Sequence, residues 1–301
     1  MKSIRRINGY LDLDNYLSKN QVQESYIDYQ YWITIDNEEY YFKLTKYPYA
    51  ELLAYELATF LGFNATCYDL AIYEENKGVI SKSYRHFGCN YISGNRILRD
   101  YIRFQKNVQI SKEMGLIDND YLAPRSLNNL EIIWQAIENR YKDTSLTINM
   151  KEIMDNIINQ FIFYILAAQN DGMPHNWELE ESPTKVSVVP IFDNEMCFRV
   201  KGGKYPANRL STNFNDEGTS NYEILEEFLK VSSSEFIELF LEKFNLLSID
   251  VFLQLIAKVE DKIGCEMPKD IKESYIHVFL FNIKQIELVL NKLGIASGRK
   301  F

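Results

Sequence analysis

Basic charge is in short supply in this 301-residue sequence: 33 lysines and arginines stand against 42 aspartates and glutamates, a net charge of −9. Binding to a phosphate backbone normally shows as a basic excess, so direct nucleic-acid binding is not expected as the main activity. Cysteine is scarce too. Cys67, Cys89, Cys197 and Cys265 stand far apart, without CxxC pairs or accompanying histidines. That argues against a zinc site or a disulfide framework and for buried, reduced thiols. Long hydrophobic runs are missing. The longest, FIFYILAA from Phe161 to Ala168, falls far short of the ~20 residues that span a bilayer. The N-terminal MKSIRRINGYLDLDNY has basic residues but no apolar stretch behind them, so it does not read as a secretory signal. A soluble cytoplasmic protein without membrane contact is expected. Internal repeats, low-complexity tracts and Gly/Ser linkers are likewise lacking.

What is present is enough for a packed core: 46% hydrophobic and 14% aromatic residues suit one large domain or two lobes sharing a cleft. YQYWITIDNEEYYFKL, from Tyr29 to Leu44, reads as two β-rich runs around the polar turn Asp36, Asn37, Glu38. PYAELLAYELATFLGF follows as a helix, with Pro48 near its start, Leu52, Leu53, Leu57 and Phe60 at helical spacing, and Gly62 as a stop. A second hairpin is expected around Glu75 to Gly78. Beyond Tyr84 the character changes. The stretch from Arg85 to Ser126 reads as loop-rich, two helices follow, the second of them largely buried around Ile153, Ile157 and Phe161, and four more helical patterns begin near Tyr222, Ser233, Ser248 and Lys269. The fold class expected is α+β and bilobal, with a β-rich lobe over residues 1–84 and an α-helical lobe over 85–301.

Between these helices lies QNDGMPHNWELEESPTKVSVVPIFDNEMCF, residues 169–198. Asp171, four intervening residues and Asn176, then Asp193 beyond an expected hairpin, reproduce the spacing of a kinase catalytic loop and its second metal ligand. A hairpin returns the chain to its start and would bring Asp193 back beside Asn176. A plain turn is the rival reading, because Asp-Gly and Pro-His-Asn are ordinary turn residues. Lys43 tilts the balance. It ends an aromatic strand just before a helix carrying Glu51 and Glu56, as phosphoryl transfer requires of a lysine steadied by a helix glutamate.

In these features (FKL with Lys43, YAELLAYELATFLGF with Glu51, GVISKSY, QNDGMPHNWEL and VVPIFDNEMCF) the chain resembles the compact members of the HipA-like serine/threonine kinases, over residues ~30 to ~200. The resemblance implies a bilobal, ATP- and Mg²⁺-dependent protein kinase. Asp171 would be the catalytic aspartate, Asn176 and Asp193 the metal ligands, and Lys43 the contact to ATP phosphates with Glu51 as its partner. Ser81, Lys82 and Ser83 would line the adenine through backbone groups. It further implies a protein substrate with a serine or threonine acceptor, autophosphorylation at Ser25 or Ser18, and an antitoxin or other regulatory partner.

Three departures stand beside the match. Gly9 is the only glycine before Lys43, so no glycine-rich phosphate loop is present. His175 directly precedes Asn176, where the family more often has a histidine two places after the aspartate. The chain is also shorter than the longer HipA proteins and is expected to lack their extra N-terminal subdomain. A nucleotide-binding pseudokinase, or a kinase acting on a small molecule or lipid head group, are the rival functions.

Overall fold

The computed structural model describes residues 4–17, 22–24, 30–104, 130–169, 176–199 and 221–298. Asp171, His175, Ser18 and Ser25 lie outside the described residues.

Seven strands form the first sheet: β1 (Arg6–Ile7), β2 (Tyr10–Asp12), β3 (Val22–Glu24), β4 (Gln30–Ile35), β5 (Glu38–Leu44), β6 (Tyr68–Tyr73) and β7 (Asn76–Lys82). Their spatial order is β1-β2-β6-β7-β5-β4-β3, antiparallel except for the β2–β6 pair. Both long hairpins turn through two residues in the left-handed region, Asp36 and Asn37 (φ 51° and 62°) and Glu74 and Glu75 (φ 50° and 61°). Such turns match the twist of the strands they join. Asp36 and Asn37 tolerate that conformation readily, and the sequence reading found this turn. The three short strands β1 to β3 were not foreseen, because two or three residues are too few to show alternation.

Helix α1 (Pro48–Phe60) follows β5 directly, with Pro48 at its first turn, and Gly62 at φ 80° lets the chain leave it. Its apolar stripe of Leu52, Leu53 and Leu57 is buried, whereas Phe60 is 36% exposed at the helix end. One face of the sheet packs on α1 through Leu70 and Val79. The opposite face closes over a smaller core of Leu13, Ile33, Ile35, Phe42 and Ile80.

A four-stranded sheet comes next in the chain, in the order β8 (Asn90–Ser93), β10 (Glu178–Glu181), β11 (Lys185–Val188) and β9 (Thr147–Ile148). The helices are α2 (Gly94–Phe104), α3 (Leu130–Tyr141), α4 (Met150–Leu166), α5 (Asn221–Val231), α6 (Ser234–Asn245), α7 (Ile249–Ile263) and α8 (Lys269–Lys292). Strand β8 and helix α2 fall inside the stretch expected to be loop-rich. GNRILRDYIRF sets Ile97, Leu98, Tyr101 and Ile102 at helical spacing between Arg96, Arg99, Asp100 and Arg103, an amphipathic pattern that the sequence reading passed over. The expected β10–β11 hairpin is present, with Leu179 opposite Val188. Helix α4 is capped by Asn149, whose side chain accepts from the Glu152 N–H, and its second half is almost wholly buried. The four cysteines are free thiols, but only Cys197 is buried, and Cys67 is exposed. No described helix is long and apolar enough to cross a membrane.

Candidate functional site

Three distant segments deliver charged side chains to one place. Strand β5 presents Lys43 near its end, held in the sheet opposite Val79 of β7 and Gln30 of β4. The first turn of α1 presents Glu51, which is fully buried. The third segment leaves β11, runs beside Asn64 to Thr66 through the Ile191 N–H to Asn64 O (2.9 Å) and Thr66 N–H to Ile191 O (2.8 Å) bonds, and so places Asp193 against Lys43.

Lys43 Nζ lies 3.3 Å from Glu51 Oε1 and 3.2 Å from Glu195 Oε2, and it also pairs with Asp193 Oδ1. The lysine side chain is 14% exposed, those of Asp193 and Glu195 about a third. Burial alone would lower the lysine pKa, but Glu51, Asp193 and Glu195 outweigh it and hold the ammonium well above its ordinary value. Burial pushes the Glu51 carboxyl up to about 7, with Lys43 pulling the other way. Asp193 itself adopts φ 59°, a left-handed conformation unusual for a residue with a side chain. Its N–H donates to the Tyr68 hydroxyl at 3.4 Å, and its carbonyl accepts from Gln169 Nε2 at 3.1 Å. The next residue, Asn194, donates its N–H to Glu51 Oε2 at 2.7 Å.

Helix α4 ends beside this turn: the Phe198 N–H bonds to Ala167 O at 3.2 Å. Asp171 comes two residues after Gln169 in the sequence. Asn176 is buried and anchored by the helix that precedes it, its carbonyl accepting from Gln160 Nε2 (2.8 Å) and the Tyr164 hydroxyl (3.1 Å).

Lys43, Asp193 and Glu195 open onto a cleft of about 580 Å³ whose walls include Trp32, Tyr41, Tyr84 and Phe192. That volume lies within the range of small-ligand sites. Trp32 and Tyr41 sit with ring centroids 4.9 Å apart, Tyr84 and Phe192 5.6 Å apart, so two aromatic pairs line the cleft. Ser81 and Ser83 line the same cleft. Lys82 turns its side chain outward to Glu38 at 2.7 Å, and the Ser83 N–H is already used by Glu39 O at 2.9 Å.

Glu51, Asp193 and Glu195 can each offer a carboxylate oxygen within 4.8 Å of the others. Hard oxygen donors of this kind suit Mg²⁺. Lys43, Glu51 and Asp193 were legible from spacing. Glu195 was not, because no motif demands an acid two residues after Asp193, and Tyr68 looks like any strand aromatic until the fold sets it beside Asp193.

No protein-family model matches the chain, and no curated protein matches its sequence. Solved structures do. The Helicobacter pylori proinflammatory kinase CtkA is similar over 95% of this chain and 99% of its own, with a TM-score of 0.64 at 14% identity. HipA of a Shewanella oneidensis MR-1 toxin–antitoxin system, solved with HipB and operator DNA, is similar over 93% of this chain and 67% of its own, with a TM-score of 0.54 at 13% identity. At such identities the likeness is one of fold. The chain therefore has the α+β fold of the HipA-like kinases, its sheet-rich part at the N-terminal end and its helical part at the C-terminal end.

Proposed function

We propose that this protein is an ATP-dependent phosphotransferase that moves the γ-phosphate of ATP to a serine or threonine hydroxyl of a protein, itself included. The observation that carries this reading is the convergence of Lys43, Glu51 and Asp193, from three separate segments, at the mouth of an aromatic-walled cleft. In a kinase-like fold that arrangement suits phosphate binding and transfer. The functional units are a lobe of residues 1–84 and a lobe of residues 85–301, with the nucleotide between them.

Lys43 contacts the phosphates and Glu51 holds it in place. Asp193 and Asn176 hold Mg²⁺. When bound, the metal neutralises charge on the transferring phosphoryl group. Asp171 orients the acceptor hydroxyl and takes its proton. Tyr84 and Phe192, with Ser81 and Ser83, form the wall for the adenine. The protein works in the cytoplasm, and because the similar HipA was solved with HipB, an antitoxin-like protein is the regulatory partner that fits best.

Incubation with γ-labelled ATP and Mg²⁺ tests the reading. Label is expected in the wild type, on Ser25 or Ser18 or on an added protein, and is expected to vanish in Asp171→Asn and Asp193→Asn with the fold intact. Retained transfer in both variants rejects the assignment. Consumption of ATP only when a small hydroxyl compound is added rejects the protein substrate.

A further inference from the structure

Lys43 has more carboxylates than one ammonium can balance. Three face it, and one of them, Glu51, is fully buried. Unbalanced charge out of water is costly, so the cluster is suited to more positive charge than Lys43 supplies. Spacing accounts for Glu51 and Asp193, whereas Glu195 is additional: it lies two residues beyond Asp193, faces the same cleft and reaches Lys43 at 3.2 Å. Asn194 between them is wholly buried. Its N–H bonds to Glu51, but neither polar atom of its side chain has a partner among the described residues. The turn thus carries unmet polarity as well as unmet charge.

We propose that Glu195 is a ligand of the divalent cation alongside Asp193, and that these two carboxylates clasp Lys43 when no metal is bound. The inference rests on the nucleotide-and-cation reading above and adds to that site a residue outside its spacing motif. A bound metal would be held by Asp193 and Glu195, which would leave Lys43 to Glu51 and to the phosphate oxygens. Without metal, Lys43 is neutralised from three sides and offers a phosphate little attraction. Cation and nucleotide are therefore coupled through Lys43, each strengthening the other by the same factor. Removing the Glu195 charge shrinks that factor from both ends, because the metal loses a ligand and the metal-free lysine loses a competitor.

Calorimetric titration of ADP into wild type and Glu195→Gln, in excess Mg²⁺ and again in EDTA, tests this. The ratio of the two affinities is expected to fall at least about tenfold in the variant, with the affinity in EDTA rising. An unchanged ratio overturns the proposal, whatever the absolute affinities. Mn²⁺ binding without nucleotide, followed by electron paramagnetic resonance, separates the two readings. If ADP fails to bind the wild type in either buffer, the nucleotide reading falls, and Mn²⁺ alone decides the role of Glu195. Weaker Mn²⁺ binding in Glu195→Gln upholds it; equal binding, or none in the wild type, overturns it. Circular dichroism establishes that the variant is folded, Glu195→Ser replaces it if it is not, and Glu195→Asp is expected to restore most of the coupling.

Discussion

The backbone N–H of Asn194 donates to Glu51 Oε2 at 2.7 Å, joining positions 143 residues apart at a fully buried carboxyl. Burial has raised that carboxyl from 4.5 to about 7. A carboxyl raised in the folded state binds its proton more tightly there than in the unfolded chain. Its contribution to stability is full below about 4.5 and is lost as pH rises through about 7. Glu51→Gln keeps an acceptor for Asn194 but cannot titrate. Urea midpoints at about pH 5 and about pH 8 are expected to drop more for wild type than for the variant. Equal drops would show that Glu51 titrates normally.

Replacing Lys43 with methionine leaves Asp193, Glu195 and Glu51 without their shared cation. The expected loss at about pH 8 is roughly 2–4 kcal/mol, shrinking towards about pH 5 as the Glu51 carboxyl takes up a proton instead. Chemical denaturation at both values checks it. A loss independent of pH would mean that the lysine contributes through packing and not through charge.

Gly78 of β7 lies under Lys43. A methyl group there would stand 2.2 Å from the Lys43 carbonyl oxygen and 2.9 Å from the Phe42 ring. Gly78→Ala must push β5 and β7 apart, at about 1–3 kcal/mol, and displace Lys43 as it does so. Nucleotide affinity is expected to fall with stability. Gly62→Ala, where nothing lies within 4 Å, carries only the strain of its positive φ, about 1 kcal/mol, and leaves nucleotide affinity unchanged.

Asn282 of α8 is fully buried and its Nδ2 donates to Ile165 O (2.9 Å) and Leu166 O (3.1 Å), carbonyls at the end of α4. Its Oδ1 accepts from the Tyr222 hydroxyl at 3.0 Å. Helix ends need such partners. Asn282→Ala is expected to cost about 1–3 kcal/mol. Because α4 leads into Gln169 and on to Asp171, kcat is expected to fall more than the KM for ATP changes. Steady-state kinetics beside urea denaturation separates the two effects, and an unchanged kcat would detach α4 from the role proposed for Asp171.

Local signals in the sequence located the elements that make their own case: the hairpin with its Asp-Asn turn, α1 between Pro48 and Gly62, and the strongly periodic α4. The second hairpin is present too, but it turns at Glu74 and Glu75, and the stretch to Gly78 already belongs to β7. Strand β8 escaped because it is stabilised by pairing with β10, almost ninety residues later, whereas the apolar spacing of Ile97, Leu98 and Tyr101 in α2 was there to be read. In the site the same division holds. Lys43 and Asp193 belong to spacing motifs, whereas the company of Glu195, Tyr68 and Asn194 is created by the run of Ile191 beside Asn64, which no local pattern encodes. The buried partner of Lys43 was legible as a glutamate on the following helix. Its raised proton affinity was not, since that depends on the depth at which α1 is packed.

Helix α1 packs on α7, and its Leu57, Ala58 and Leu61 belong to one continuous core with Phe252, Leu255 and Phe279 of the C-terminal helices. Lys262 of α7 adds a 2.6 Å bond to the Tyr68 carbonyl at the start of β6. A chain excised at residue 84 would therefore carry a helix stripped of the apolar cover that α7 supplies, and the remainder would expose the surface that α1 covers. The two parts are separable as carriers of lysine and aspartate but not as autonomous folding units, so expressing either one alone is expected to yield aggregate and not half a protein.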